Sequence, residues 1–181
     1  IKSIETVARE TKKFVFSVGE YAPLTGGEKQ SGRLDFQAGQ FISLKFTEKA
    51  WRAYSIASSP EEDLIELVIR IVPGGVGSMV LDAAQVGAEF AFKAPFGHFV
   101  LSENAEANII FLGTGTGIAP LRSMALVENK KPQPRKMKLF YGGRNAEDIA
   151  YLEELATWAP KHMTTRLAFS RDEQAEEKGA E

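Results

Sequence analysis

NIIFLGTGTGIAPLRSMALVEN, residues 108–129, decides the fold. An apolar run of strand length ends in three glycines at alternate positions, Gly113, Gly115 and Gly117, and an Ala-Pro step then opens a segment with helical spacing. Alternate glycines at a strand-to-helix junction are costly in conformational entropy unless something must approach the backbone closely. A phosphate held on main-chain N–H groups at a helix N-terminus has that requirement. The spacing is GxGxG and not the GxGxxG dinucleotide fingerprint, and the next strand, KMKLFYGGR (136–144), ends in a base where an acid would hold a ribose. This is therefore not an unmodified Rossmann unit.

Downstream the alternation continues, with a helical pattern over AEDIAYLEELATW (146–158) and a strand over MTTRLAFS (163–170). That is the βαβ rhythm of a parallel sheet with covering helices. Ile149, Leu152, Leu155 and Ala156 fall on one helical stripe, which core packing explains. The charged RDEQAEEKGAE (171–181) comes where a further βα unit is expected, so this half reads as apparently truncated. The chain also opens without a methionine, which suggests that it begins inside a longer protein.

Upstream, residues 4–101 carry short β-rich runs between turn signals: KFVFSV, QFISLKF, RAYSIA, LIELVIRIV, AEFAFKA and HFVL. Such spacing predicts a small antiparallel β-barrel. GEYAPLTGGEKQSGRL (19–34) interrupts it as a long hairpin or exposed loop, and SENAEA (102–107) is a polar bridge between the halves. The expected organisation is a barrel domain over 1–103 and an α/β domain over 108–181.

Composition narrows the function. The chain has 181 residues, 44% of them hydrophobic, enough to bury a core. Its 22 basic and 24 acidic side chains argue against binding nucleic acid or an anionic membrane by bulk charge. Zero cysteines exclude disulfides and cysteine-ligated clusters within this chain, and two distant histidines, His98 and His162, argue against a histidine-based metal site. No apolar run reaches membrane-spanning length, so the expected location is cytoplasmic.

A second glycine loop, PGGVGSMVLDAA (73–84), follows an apolar strand and leads into a short helix with Ser78 expected at its N-cap. It reads equally as an ordinary tight turn or as a second anion site, where free N–H groups and the helix dipole point at one place. WRAYSIASSP (51–60) puts a cation, an aromatic ring and a hydroxyl within four residues. Two anion loops on two architectures suggest two dinucleotides, one giving hydride and one taking it. Such a pair must bring nicotinamide and flavin within about 3–3.5 Å.

These residues together resemble the ferredoxin–NADP reductase superfamily. Arg52-Ala-Tyr54-Ser55 is similar to its flavin motif RxYS, Gly75-Val76-Gly77-Ser78 with Leu81 to its pyrophosphate motif GxxSxxL, and Gly113-Thr114-Gly115-Thr116-Gly117-Ile118-Ala119-Pro120 to its nicotinamide-nucleotide loop. Gln40-Phe41, Pro95-Phe96-Gly97 and Phe140-Tyr141-Gly142-Gly143-Arg144 also fall where the family has comparable segments. The resemblance implies FAD, with Arg52 on its pyrophosphate, Tyr54 stacked on the ring system and Ser55 reaching toward N5. It implies NADP(H) on the Gly113–Gly117 loop, with Arg144, Ser170 and Arg171 among the nucleotide-binding residues. Ser170-Arg171 resembles the pair with which plant-type members hold a 2′-phosphate, although as residues they also read as a solvated loop beside Asp172 and Glu173. The family continues into a C-G-P-like loop that this sequence lacks.

The expected activity is FAD-dependent hydride transfer from NADPH, with single electrons passed to or from a redox protein such as ferredoxin or flavodoxin. One alternative is an NADH-dependent reductase serving an oxygenase, haem protein or quinone. Another is a flavin-binding sensor or assembly module without turnover.

Overall fold

The computed structural model describes residues 1–22, 28–104, 107–158 and 162–171. The N-terminal half is antiparallel throughout. Its longest strand, β2 (Thr11–Tyr21), pairs with β1 (Ser3–Ala8), with β6 (Leu64–Arg70) and, at its far end, with the short β3 (Gln30–Gly32). A second sheet runs in the order β5 (Trp51–Ser55), β4 (Phe41–Lys45), β7 (Phe92–Phe96). An isolated Ile56–Leu67 bridge joins the two sheets. Period-two patterning builds the core between them: Phe14, Phe16 and Val18 from β2, Ile42 and Leu44 from β4, and Ile65, Leu67 and Ile69 from β6 all point inward.

The second half is a parallel sheet in the order β10 (Met163–Phe169), β9 (Met137–Gly143), β8 (Ile109–Thr114). Helix α2 (Ile118–Asn129) packs on β8 and α3 (Leu152–Trp158) on β10. Phe111, Leu139, Tyr141 and Met163 are buried on one face, while Ile110, Leu112 and Phe140 are exposed on the other. No described helix is long and apolar enough to cross a membrane.

Strand β6 joins the halves. Val68, on the face opposite Leu67, belongs to the core of the parallel sheet. Around it Arg122 of α2 donates to the Ala57 carbonyl (2.8 Å), pairs with Glu66 (3.2 Å) and Glu154 (2.9 Å), and lies over the Tyr151 ring, whose hydroxyl bonds Glu66. Ser123 Oγ donates to the Ser58 carbonyl at 2.6 Å. A second clip fastens the polar bridge: Arg135 donates to the carbonyls of Ser102 and Asn104 and to the fully buried Glu128. Those bonds hold the Glu128 carboxyl down at about 2.

Four expectations need correction. HFVL is no strand: Phe99 and Val100 stand exposed after β7, which ends at Phe96. Strand β1, SIETVA, is absent from the expected runs because it lies at a sheet edge and only half of its six residues are apolar. The 146–158 helix is a short 3₁₀ turn (Ala146–Asp148), then Tyr151 at φ +61°, then α3. The stripe breaks with it, since Ile149 and Leu155 are buried but Leu152 and Ala156 are exposed. Ser78 is not the N-cap, for a reason that belongs to the site. The 19–34 segment is a hairpin between β2 and β3, with residues 23–27 outside the described residues.

Candidate functional site

The RxYS segment is β5, the end strand of its sheet. Alternation puts Arg52 and Tyr54 on one face and Ser55 on the other. Arg52 is exposed, and its guanidinium donates to its neighbour's carbonyl, Trp51 O, at 2.8 Å. Among the described residues it has no carboxylate partner. Tyr54 is half-buried, edge-on to Phe46 with ring centroids 6.3 Å apart, and burial raises its pKa above the ordinary value while the nearby Arg52 charge opposes the rise. Its hydroxyl is therefore neutral. Ser55 is half-buried at the strand end, opposite Phe41, whose ring stacks on Phe96 at 5.5 Å.

The glycine loop of the barrel comes to meet Tyr54. Helix α1 (Val76–Ala83) begins three residues before the expected point, with Gly75 as N-cap at φ −75°, ψ 126° and no side chain capping it. Ser78 cannot serve as cap because it lies inside the first turn, where its Oγ accepts the Val72 N–H at 3.0 Å and closes the loop. Gly77 is buried. A Cβ there would stand 2.8 Å from Tyr54 Oη and 3.1 Å from the Phe46 ring, so only glycine lets the tyrosine reach over the start of α1. Arg52, Tyr54 and the Gly75–Ser78 turn thus share one region of the barrel surface.

The second region is a cleft of about 650 Å³ at the C-terminal ends of the parallel strands. Open α/β sheets bind ligands at that end. Thr114, Gly115, Thr116, Arg144 and Ser170 line it from the sheet, and Arg9, Glu10 and Arg70 face them from the barrel. Gly115–Gly117 form a 3₁₀ turn with Gly115 at φ +51°, and Gly117 is the N-cap of α2, again without a side-chain cap. Gly113, Gly117 and Arg171 are outside the lining. Arg9 is paired with Glu147 and Asp148, and Arg70 with Glu10.

Ser170 and Arg171 are placed by main-chain bonds across the sheet end. Ser170 N–H donates to Gly143 O (3.1 Å) and Arg171 N–H to Arg144 O (2.9 Å), which sets the two arginine backbones side by side. With its amide turned to satisfy both groups, Asn145 donates to the carbonyls of Arg144 and Arg171 at 2.9 and 3.1 Å. Asp148 accepts the N–H groups of Arg144 and Asn145, completing the turn. Among the described residues neither guanidinium has a carboxylate partner. Sequence reasoning passed over Asn145, Asp148 and the role of Gly77 as a neighbour of Tyr54; only a short polar N-A-E-D turn signal marks the first two.

Residues 1–101 match the family model of the oxidoreductase FAD-binding domain and residues 111–181 that of the oxidoreductase NAD-binding domain. Among curated proteins the chain is 35% identical over 130 residues to the reductase component of propane 2-monooxygenase from Mycolicibacterium goodii, covering 70% of this chain and 37% of that protein. It is 35% identical over 128 residues to ferredoxin–NADP reductase B from Sorangium cellulosum, covering 68% and 52%. The chain therefore spans about half or less of the length of these relatives. Among solved structures, an Amycolatopsis cytochrome P450 reductase superposes with a TM-score of 0.78 at 28% identity, covering 93% of this chain and 50% of that one. With an antiparallel barrel joined to a parallel sheet, and matching models across both, the chain belongs to the ferredoxin–NADP reductase superfamily.

Proposed function

We propose that this chain is the flavin- and nucleotide-binding part of an FAD-dependent oxidoreductase that takes hydride from NADPH and exchanges single electrons with a redox protein. The observation that carries the proposal is the presence of two regions in one chain: the Arg52–Tyr54–Gly77 surface of the barrel and the cleft at the ends of β8, β9 and β10. The residues present fit a flavin dinucleotide. A guanidinium with no carboxylate partner among the described residues, an uncapped helix N-terminus and a neutral half-buried ring kept accessible by a glycine are complementary to a pyrophosphate and a flat heterocycle. When bound, FAD supplies the capacity to accept a hydride and release electrons one at a time.

The chain's own residues bind and orient. Arg52 and the first turn of α1 neutralise the flavin pyrophosphate, Tyr54 fixes the ring plane, and Ser55 offers a hydroxyl from the strand end. The Gly113–Gly117 turn offers main-chain N–H groups to the nicotinamide nucleotide. Arg144, which lines the cleft with Ser170, and Arg171, beside it at the sheet corner, favour a 2′-phosphate and hence NADPH over NADH. An electron-accepting protein partner is supported by the relatives, one a monooxygenase reductase component and one a ferredoxin reductase.

The test is anaerobic titration of the FAD-reconstituted protein with NADPH and, separately, NADH. Flavin bleaching at lower NADPH than NADH is the expected result. A folded protein that retains no flavin, or one bleached better by NADH, would overturn the corresponding half of the proposal.

A further inference from the structure

Tyr141 is wholly buried on β9, on the face covered by the helices, yet its oxygen is not idle. It donates to the carbonyl of Gly115 at 2.8 Å and accepts the N–H of Ala150 at 3.2 Å. The same Gly115 carbonyl also accepts the N–H of Ile118. Burial pushes the phenol up to about 12, so the hydroxyl stays a proton donor through the physiological range.

A planar trans peptide fixes what this does. The C=O of Gly115 and the N–H of Thr116 belong to one peptide plane and point in opposite directions. Two donors draw the carbonyl toward the core, so the Thr116 N–H faces the other way, into the cleft that Gly115 and Thr116 line. Gly115 permits this turn of the plane because it sits at φ +51° with nothing near the position of a Cβ.

We infer that Tyr141 is a positioning residue for nucleotide binding: from inside the core, its hydroxyl locks the Gly115–Thr116 peptide with the amide aimed at the phosphate of the ligand. This rests on the nucleotide reading of the cleft given above. Nothing in Tyr141 touches the ligand. The residue acts only by fixing the direction of one backbone donor, and a turn free to rotate that peptide presents a carbonyl oxygen to an anion for part of the time.

The test is calorimetric titration of wild type and Tyr141→Phe with NADP⁺, alongside FAD affinity and the Thr116 amide resonance. The variant keeps the ring and loses one hydrogen bond, so its NADP⁺ Kd should rise about 3- to 10-fold while FAD affinity stays level. The Thr116 amide should shift on adding NADP⁺ in wild type and much less in the variant, a difference that a loss of stability alone does not produce. A Kd within about twofold of wild type, or equal weakening of FAD, sinks the inference and leaves the nucleotide reading standing. Absence of NADP⁺ binding by wild type sinks both. Should the variant fail to fold, wild type alone decides: a slowly exchanging Tyr141 hydroxyl proton that responds to NADP⁺ supports the lock, and a freely exchanging one removes it.

Discussion

The two candidate binding regions present their groups in opposite ways. On the barrel the groups offered are side chains, Arg52 and the half-buried Tyr54 on one end strand, and all they ask of their surroundings is that Gly77 stay small. On the parallel sheet they are main-chain groups in the Gly115–Gly117 turn, held from behind by a tyrosine 26 residues away in sequence. Side-chain recognition is local and tolerates a mobile setting. Backbone recognition has no side chain to adjust, so it depends on whatever fixes the peptide planes.

The sharpest way to break the comparison is a crossed pair of glycine substitutions. Gly77→Val places a branched carbon against Tyr54 Oη and the Phe46 ring, and should abolish FAD retention while NADP⁺ binding, read by calorimetry, persists. Gly115→Val forces a β-branched residue to φ +51° and should abolish hydride transfer with FAD still bound. If either variant loses both ligands while folded, the regions are not independent.

A control of next size touches neither region. Arg135→Ala removes the guanidinium bonds to the buried Glu128 carboxylate, leaving those from Lys131 and the residue-135 N–H, and should cost about 1.5–3 kcal/mol in denaturant unfolding without changing the ratio of FAD to NADP⁺ affinity. The same pair sets an acid limit. Glu128 titrates at about 2 in the folded chain against 4.5 ordinarily, so the stability it contributes is whole above about pH 4.5 and drains away as pH falls toward 2. The variant should lose most, though not all, of that part of the acid-unfolding profile, since Lys131 and the residue-135 N–H still bond the carboxylate.

Smaller effects sharpen the contrast. Arg171→Ala should lower kcat/KM for NADPH by roughly 10- to 100-fold, the worth of one charge-assisted hydrogen bond, and leave NADH nearly untouched. Equal losses for both would move the 2′-phosphate elsewhere, with Arg144, whose carbonyl accepts the Arg171 N–H, as the next candidate. Tyr54→Ser should weaken FAD by about 0.5–1.5 kcal/mol, the value of a stacked aromatic pair, and alter its visible spectrum. An unchanged spectrum removes Tyr54 from the flavin face.

Much of this was legible because it is periodic or punctuated. The apolar run, glycine loop and helix of 108–129 appear as β8, the 3₁₀ turn and α2, since strand pattern, glycine and N-terminal proline all agree locally. The misses share a cause. Residues 146–158 carry a helical stripe, but Tyr151 takes a left-handed conformation so that its ring can lie under Arg122 and its hydroxyl meet Glu66 of the barrel. Ser78 looks like a cap by residue type, but the Val72 N–H claims its hydroxyl.

Sequence by itself determined the two architectures, their order and the residue types at both loops, because hydrophobic period and glycine placement are properties of neighbouring residues. Tertiary structure alone decided which of those residues meet: Tyr54 over Gly77, Arg144 beside Arg171, Tyr141 behind Gly115. Each of those meetings joins segments brought together by strand pairing or helix packing. Strand register and buried hydrogen-bond partners are chosen by the packed core as a whole, where nearly all buried polar atoms find a partner, and no local pattern records that choice.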